Sequence, residues 1–160
     1  MPGMAEVYGW VRETRKGLLE WCASLPADVY LQERDEFGWG SIRNTLIHTA
    51  DCYRFWLAEE ALGRGMDRFD PSTHPDAQSA FALFGKVDDI VAAFIAEFPR
   101  EELGRSLVRQ VRWQPEPLVI SPLWLLAHTV THEFHHKGQI VTMGRILGKP
   151  APETDLWIPG

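Results

Sequence analysis

Four of the six histidines in this 160-residue sequence lie close together near its carboxyl end, at His128, His132, His135 and His136. Residues four apart in a helix lie on one face about a turn apart, so two imidazoles at this spacing can bind one metal ion. His132 belongs to two such pairs, one with His128 and one with His136. The outer two are about 12 Å apart along a helix, so they cannot both bind the same ion. The spacing therefore predicts a metal-binding pair without choosing between the two.

A pair of histidines is an incomplete metal site, so a third ligand must come from another helix that faces the same part of the core. His48 is the candidate, because it lies on the apolar stripe of an earlier predicted helix. Cys52, four residues later, could be a fourth ligand or a reactive thiol, although a buried apolar cysteine is the commoner outcome. A bound Cys52 would close the site and weaken a catalytic interpretation.

The other polar residues near these histidines are assigned to supporting roles or to the surface. Asp51, three residues after His48, could orient an imidazole by accepting its N–H. Glu133 points about 100° away from His132, which predicts a surface charge or a hydrogen-bond partner for a neighbouring element. Three cations could recognise a carboxylate or phosphate, but a helix-surface position is the default for each: Arg54, Lys137 and Arg145.

Four segments with helical hydrophobic periodicity must position these residues, at about 5–24, 41–62, 77–98 and 121–147. Ser41, Asp76 and Ser121 are the expected N-caps. A loop with two prolines precedes the third helix, and the stretch 105–120 predicts a hairpin arm or an extended loop before the fourth. Because each apolar stripe must be buried against another helix, we expect an all-α four-helix bundle with longer connections before helices three and four. The tryptophans on these helices are expected mainly in the core: Trp21, Trp56 and Trp124.

Composition limits the class of protein. With 45% apolar and 24% charged residues, the chain fits a single domain over residues 1–160 that needs no disulfide to fold. The net charge of −6 argues against a nucleic-acid partner. No run approaches the roughly 20 apolar residues that cross a bilayer, and the amino end lacks a basic start with an apolar stretch. Cys22 and Cys52 match no redox or zinc-ribbon motif, so we expect a cytoplasmic protein without a membrane partner.

Two segments, TLIHTADCYRFWL and THEFHHKGQI, resemble the DinB-like metalloenzyme superfamily, and the resemblance covers essentially the whole chain. Members place one metal-binding histidine in the second helix and two, spaced HxxxH, in the last helix before a basic residue, glycine and glutamine. Carried over, these are His48, His132 and His136, so the resemblance selects the second pair. The sequence departs from the family at Thr131 and Lys137, where relatives often have asparagine and arginine.

The resemblance implies one divalent metal ion, nickel or zinc, held by three histidines with an open position. It also implies a homodimer that acts on a small-molecule substrate, with a low-molecular-weight thiol such as bacillithiol or mycothiol transferred to an electrophile. A metal-dependent hydrolase and a non-catalytic metal-binding stress-response protein are the alternatives. His128 could line the pocket mouth, whereas His135 and the loop residue His74 are expected outside the site.

Overall fold

The computed structural model describes residues 3–158, and most of this range is helical. Its elements are α1 (Met4–Ser24), α2 (Ala27–Leu31), α3 (Ile42–Tyr53), α4 (Ala77–Glu97), β1 (Leu107–Arg109), β2 (Leu118–Ile120) and α5 (Pro122–Ile146). A π-helical segment, Arg54–Ala61, continues α3, and 3₁₀ turns cover Pro71–Thr73 and Arg100–Glu102. The mostly helical fold agrees with the all-α prediction, while the ends of the expected domain, 1–2 and 159–160, lie outside the described range.

The three predicted N-caps are confirmed. The side chains of Ser41, Asp76 and Ser121 each accept a hydrogen bond from a backbone N–H in the first turn of the helix that follows. Gly63 and Gly148, with φ of 64° and 73°, follow the ends of the π-helical segment and of α5. These local signals explain why the predicted bounds of the long helices agree closely with the observed ones.

Two connections differ in detail from the expectation. Pro26 follows the end of α1 as expected, but it also precedes the five-residue α2, which was not predicted. The stretch before α5 is the predicted hairpin arm, in which Val108 of β1 pairs with Val119 of β2 in antiparallel register. Both valines are exposed, whereas the paired Leu107 and Ile120 are buried, so one face of the hairpin packs on the core.

The long helices pack side by side, and α3 contacts both α4 and α5. Helix α1 lies against α4 and α5, and the π-helical segment packs on the same two helices. The core between them contains fully buried large side chains, among them Tyr53, Leu57, Phe94, Leu125 and Ile140. Within residues 3–158, no helix has both the length and the apolar character needed to cross a membrane.

A buried network of polar side chains ties these four helices together. Arg15 of α1 donates two hydrogen bonds to Glu133 of α5, at 2.7 and 2.8 Å, and Tyr53 of α3 donates a third at 2.6 Å. Arg15 also donates to Asp88 of α4, which accepts from Tyr8 as well. Arg15 and Glu133 are only 4% and 6% exposed, so Glu133 is not the surface charge that was one of the two expectations.

Replacing Arg15 with methionine should destabilise the fold strongly, because it leaves the Glu133 carboxylate buried without its cation. We expect a loss of about 3–5 kcal/mol in the free energy of unfolding, measured by urea titration. Arg12→Met is the matched control, since the Arg12 side chain is 56% exposed and pairs with Asp88 at the surface. Its loss should stay below about 1 kcal/mol, and equal losses in the two variants would contradict this role for Arg15.

Candidate metal centre

Three imidazoles converge where α3 meets α5. His48 comes from α3, and His132 and His136 lie one turn apart on α5. The Nε2 atom of His132 is 3.1 Å from that of His48 and 3.2 Å from that of His136. Among residues 3–158, these three form the one group of histidine, cysteine or carboxylate side chains with the spacing of a metal site. The structure thus brings together the three residues that the resemblance selected.

The separations between these nitrogens fit a shared cation better than they fit hydrogen bonds. In a tetrahedral site with metal–nitrogen distances of 2.0–2.1 Å, ligand nitrogens are about 3.3 Å apart. A single Nε2 atom of neutral His132 can donate or accept one hydrogen bond, yet it faces two other Nε2 atoms. One divalent ion between the rings would satisfy all three lone pairs at once, so the group suggests a divalent metal site.

Electrostatics in this cluster favour neutral rings, the form that binds metal ions. Burial, together with a smaller effect of the nearby His136, lowers the pKa of His48 to about 4. Burial likewise lowers the pKa of His132 to about 3, with the surrounding histidines adding to the effect, and it lowers the pKa of His136. At neutral pH all three imidazoles therefore present unprotonated nitrogens.

Gln139 fixes the orientation of one ligand. Its side-chain oxygen lies 2.7 Å from Nδ1 of His136, so that nitrogen donates and Nε2 is left with its lone pair facing the other rings. The amide nitrogen of Gln139 contacts the ring of exposed His135 at 3.3 Å. The sequence analysis assigned no role to Gln139, although its position three residues after His136, in the quoted segment HKGQ, was a signal.

Trp39 supports a second ligand by stacking on His48, with ring centroids 3.8 Å apart and planes 17° from parallel. It lies in the loop before α3, where the Arg34 N–H bonds the carbonyl of Gly40. Gly40 has φ of 77°, and a Cβ there would collide with the carboxylate of Glu33. No motif in the sequence pointed to Trp39, because its contact with the site depends on this turn.

Two possible further ligands lie outside the group. Cys52 is buried and lines the cavity beside His48, but its sulfur is not within ligand distance of the three nitrogens. His128 stacks on Trp124, with centroids 4.8 Å apart, and packs against Trp56 in an aromatic cluster. Three histidines that could hold a metal ion therefore converge, and neither Cys52 nor His128 belongs to that group.

Several residues near the site differ from their predicted positions or contacts. The Asp51 carboxylate is occupied by the Arg54 side chain at 2.5 Å and by the Phe69 N–H at 3.0 Å, and not by an imidazole. Arg54 is buried and not at the surface, and so is Lys137, which is 9% exposed and donates to the Thr154 carbonyl. Of the tryptophans expected in the core, Trp56 is buried and Trp21 is partly buried against the core. Trp124, in contrast, is 43% exposed.

A cavity of about 260 Å³ opens beside His48 and His132. Aromatic side chains form much of its wall: Trp39, Phe55, Trp56 and Trp113. The π-helical segment supplies two of them, Phe55 and Trp56, whose ring centroids are 5.1 Å apart. A small molecule in this cavity would lie directly beside the imidazoles.

The fold and this centre define a helical protein with a three-histidine group between two helices. The sequence matches the family model described as the DinB family over residues 1–159. The chain belongs to the DinB family, as the two quoted segments predicted. No curated protein matches it significantly.

Metal content should depend on the three converging histidines. Plasma mass spectrometry on untagged protein should find about one divalent ion per chain, and His48→Ala, His132→Ala or His136→Ala should abolish it because each removes a ligand. Gln139→Ala should weaken metal affinity about 10- to 100-fold, since it frees the His136 ring. His128→Ala is the control that keeps its metal. Full metal content in His132→Ala would overturn the site.

Proposed function

We propose that this protein is a metal-dependent enzyme that transfers a low-molecular-weight thiol to a small electrophile. One divalent ion, nickel or zinc, is bound by His48, His132 and His136. The observation that carries the proposal is the convergence of three histidine nitrogens beside a cavity, with Cys52 outside the ligand group. Three protein ligands leave a coordination position for substrate, which is the design of catalytic and not structural sites.

A divalent cation held by His48, His132 and His136 would supply the Lewis acidity that lowers the pKa of a thiol. The protein's own residues prepare the site for that chemistry. Gln139 holds a proton on Nδ1 of His136, and Trp39 packs against the face of His48. Ligand rings held in this way need no reorganisation when substrate binds.

The reactive thiol in this proposal comes from a separate molecule and not from Cys52. Burial raises the pKa of the Cys52 thiol to about 12, so this side chain remains protonated at neutral pH. Aromatic side chains form much of the cavity wall, and their apolar faces would reduce contact between a bound electrophile and water. A small thiol and a small electrophile are the substrate class that this interpretation requires.

We further propose that the centre belongs to a single domain with the four-helix-bundle architecture of the family, located in the cytoplasm. The pairwise packing of α1, α3, α4 and α5 supports the bundle. Cys22 and Cys52 are both buried free cysteines, which suits a reducing compartment. The acidic net charge of −6 continues to argue against nucleic acid as a partner.

A homodimer is the assembly that we propose, with a second copy of the chain covering a mostly apolar groove. The groove, about 630 Å³ in volume, lies between the beginning of α1, the end of α4 and the first half of α5, and Leu123 and Val130 are among its lining residues. Leu123 is 54% exposed. Apolar surface of this kind is typical of interfaces between subunits.

Light scattering after gel filtration should give twice the 18.2 kDa mass of the chain. Ala127→Arg, at an exposed position of α5 that lines the groove, should shift the protein to the monomer because it places a charge in the interface. Thr142→Arg, which is also exposed on α5 but lies outside the groove, should remain a dimer. A monomeric wild type would contradict the assembly, with circular dichroism checking that each variant is folded.

Thiol dependence tests the activity itself. Metal-loaded protein should conjugate bacillithiol, mycothiol or glutathione to monochlorobimane, measured by the fluorescence of the conjugate. The rate should fall to background in His132→Ala, while His128→Ala keeps it. Hydrolysis of p-nitrophenyl acetate without added thiol would instead identify a hydrolase. No turnover, together with a large fall in melting temperature on chelation, would identify a structural metal.

A further inference from the structure

The cavity beside the three histidines has a cationic lining in an otherwise acidic protein. Three arginines and one carboxylate, that of Asp51, are among its lining residues, whereas the whole chain carries a net charge of −6. The arginines are Arg54, Arg68 and Arg112. A concentration of one sign of charge in a cleft attracts small ions of the opposite sign.

The first of these arginines is already neutralised by the protein. Arg54 is buried and donates to Asp51 at 2.5 Å, to Glu59 at 2.7 Å and to the Met66 carbonyl at 3.1 Å. Its pKa is raised by these carboxylates in spite of the burial that opposes its charge. Arg54 and Asp51 therefore form part of the wall, and neither is available to a ligand.

The other two arginines remain available. Arg68 is 70% exposed, and its one ion pair within the described range is a 3.5 Å contact with Asp51, a carboxylate that Arg54 already holds. Arg112 is exposed and makes no hydrogen bond or ion pair with any residue of the described range 3–158. Two guanidinium groups from different loops thus lie at the cavity with donors to spare.

The rest of the lining defines what kind of anion would fit. Trp39, Phe55, Trp56 and Trp113 offer flat apolar faces, and the volume of about 260 Å³ admits only a small molecule. Guanidinium groups bind carboxylates through paired hydrogen bonds, and aromatic faces stack on planar bodies. A planar molecule with a carboxylate satisfies both features together.

We propose that this cavity is a binding site for a small carboxylate with a planar apolar body. Arg68 and Arg112 contact the carboxylate, and the aromatic walls pack on the body. The inference deepens the proposed function, because it makes the electrophile or the thiol that occupies this cavity an anion. The binding step itself needs no metal, since the arginines and aromatic rings belong to the protein.

The test compares benzoate with its neutral isostere benzamide by isothermal titration, on the protein as purified and again after chelation. We expect benzoate to bind about 10- to 100-fold more tightly than benzamide, because charge-assisted hydrogen bonds form only with the carboxylate. The double variant Arg68→Gln, Arg112→Gln should lose that preference while its benzamide affinity stays unchanged. Arg64→Gln, at an exposed arginine that does not line the cavity, is the matched control and should behave as wild type.

Equal affinity for benzoate and benzamide in the wild type would overturn the proposal, as would a preference that survives in the double variant. A preference that disappears on chelation but not in the double variant would place the carboxylate on the metal, which also overturns it. Absence of metal or of thiol transfer would count against the proposed function alone. A benzoate preference carried by the two arginines would persist in that case.

Discussion

The structure depends on the burial of one carboxylate, that of Glu133, at the point where four helices meet. Its two oxygens accept hydrogen bonds from Arg15 and Tyr53, and these contacts hold the Glu133 face of α5 toward α1 and α3. Adjacent residues on a helix point about 100° apart, so the direction of Glu133 also determines that of His132. With Glu133 held in the core, His132 and His136 face His48 on α3. The stability of the fold and the geometry of the site thus share one buried network.

Burial of ionisable groups has opposite consequences in the Arg15–Glu133 network and in the histidine cluster. In the network, a cation and a carboxylate compensate each other, so both can remain charged away from water. In the histidine cluster there is no anion within the group, and burial therefore keeps the imidazoles neutral, with the pKa of His132 at about 3. Neutral nitrogens 3.1–3.2 Å apart form a site that a cation completes. The Glu133 carboxylate is not part of the three-histidine group.

Features that depend on neighbouring residues could be predicted from the sequence, and features that depend on contacts between elements could not. Caps and hydrophobic periodicity are local, which is why Ser41, Asp76 and Ser121 marked the helix starts correctly. The five-residue α2 is too short to show a periodicity. The change from α to π geometry after Tyr53 follows no single residue type. Arg15 is 118 residues from Glu133, which it holds, and Trp39 reaches His48 from a loop outside the helix, so no helical spacing rule connects these partners.

The candidate metal ligands also show what helical spacing alone cannot decide. Helical spacing left two pairs open, and the structure shows why only one of them faces α3: His128 stacks on Trp124 in the aromatic cluster, whereas His136 turns toward His48. The cationic lining of the cavity could not be predicted from the sequence for a related reason. Arg54 was expected at the surface yet is buried against Asp51, and the exposed arginines that line the cavity are Arg68 and Arg112. Which arginine meets a ligand is decided by which one the fold has already neutralised, and only the packed structure contains that information.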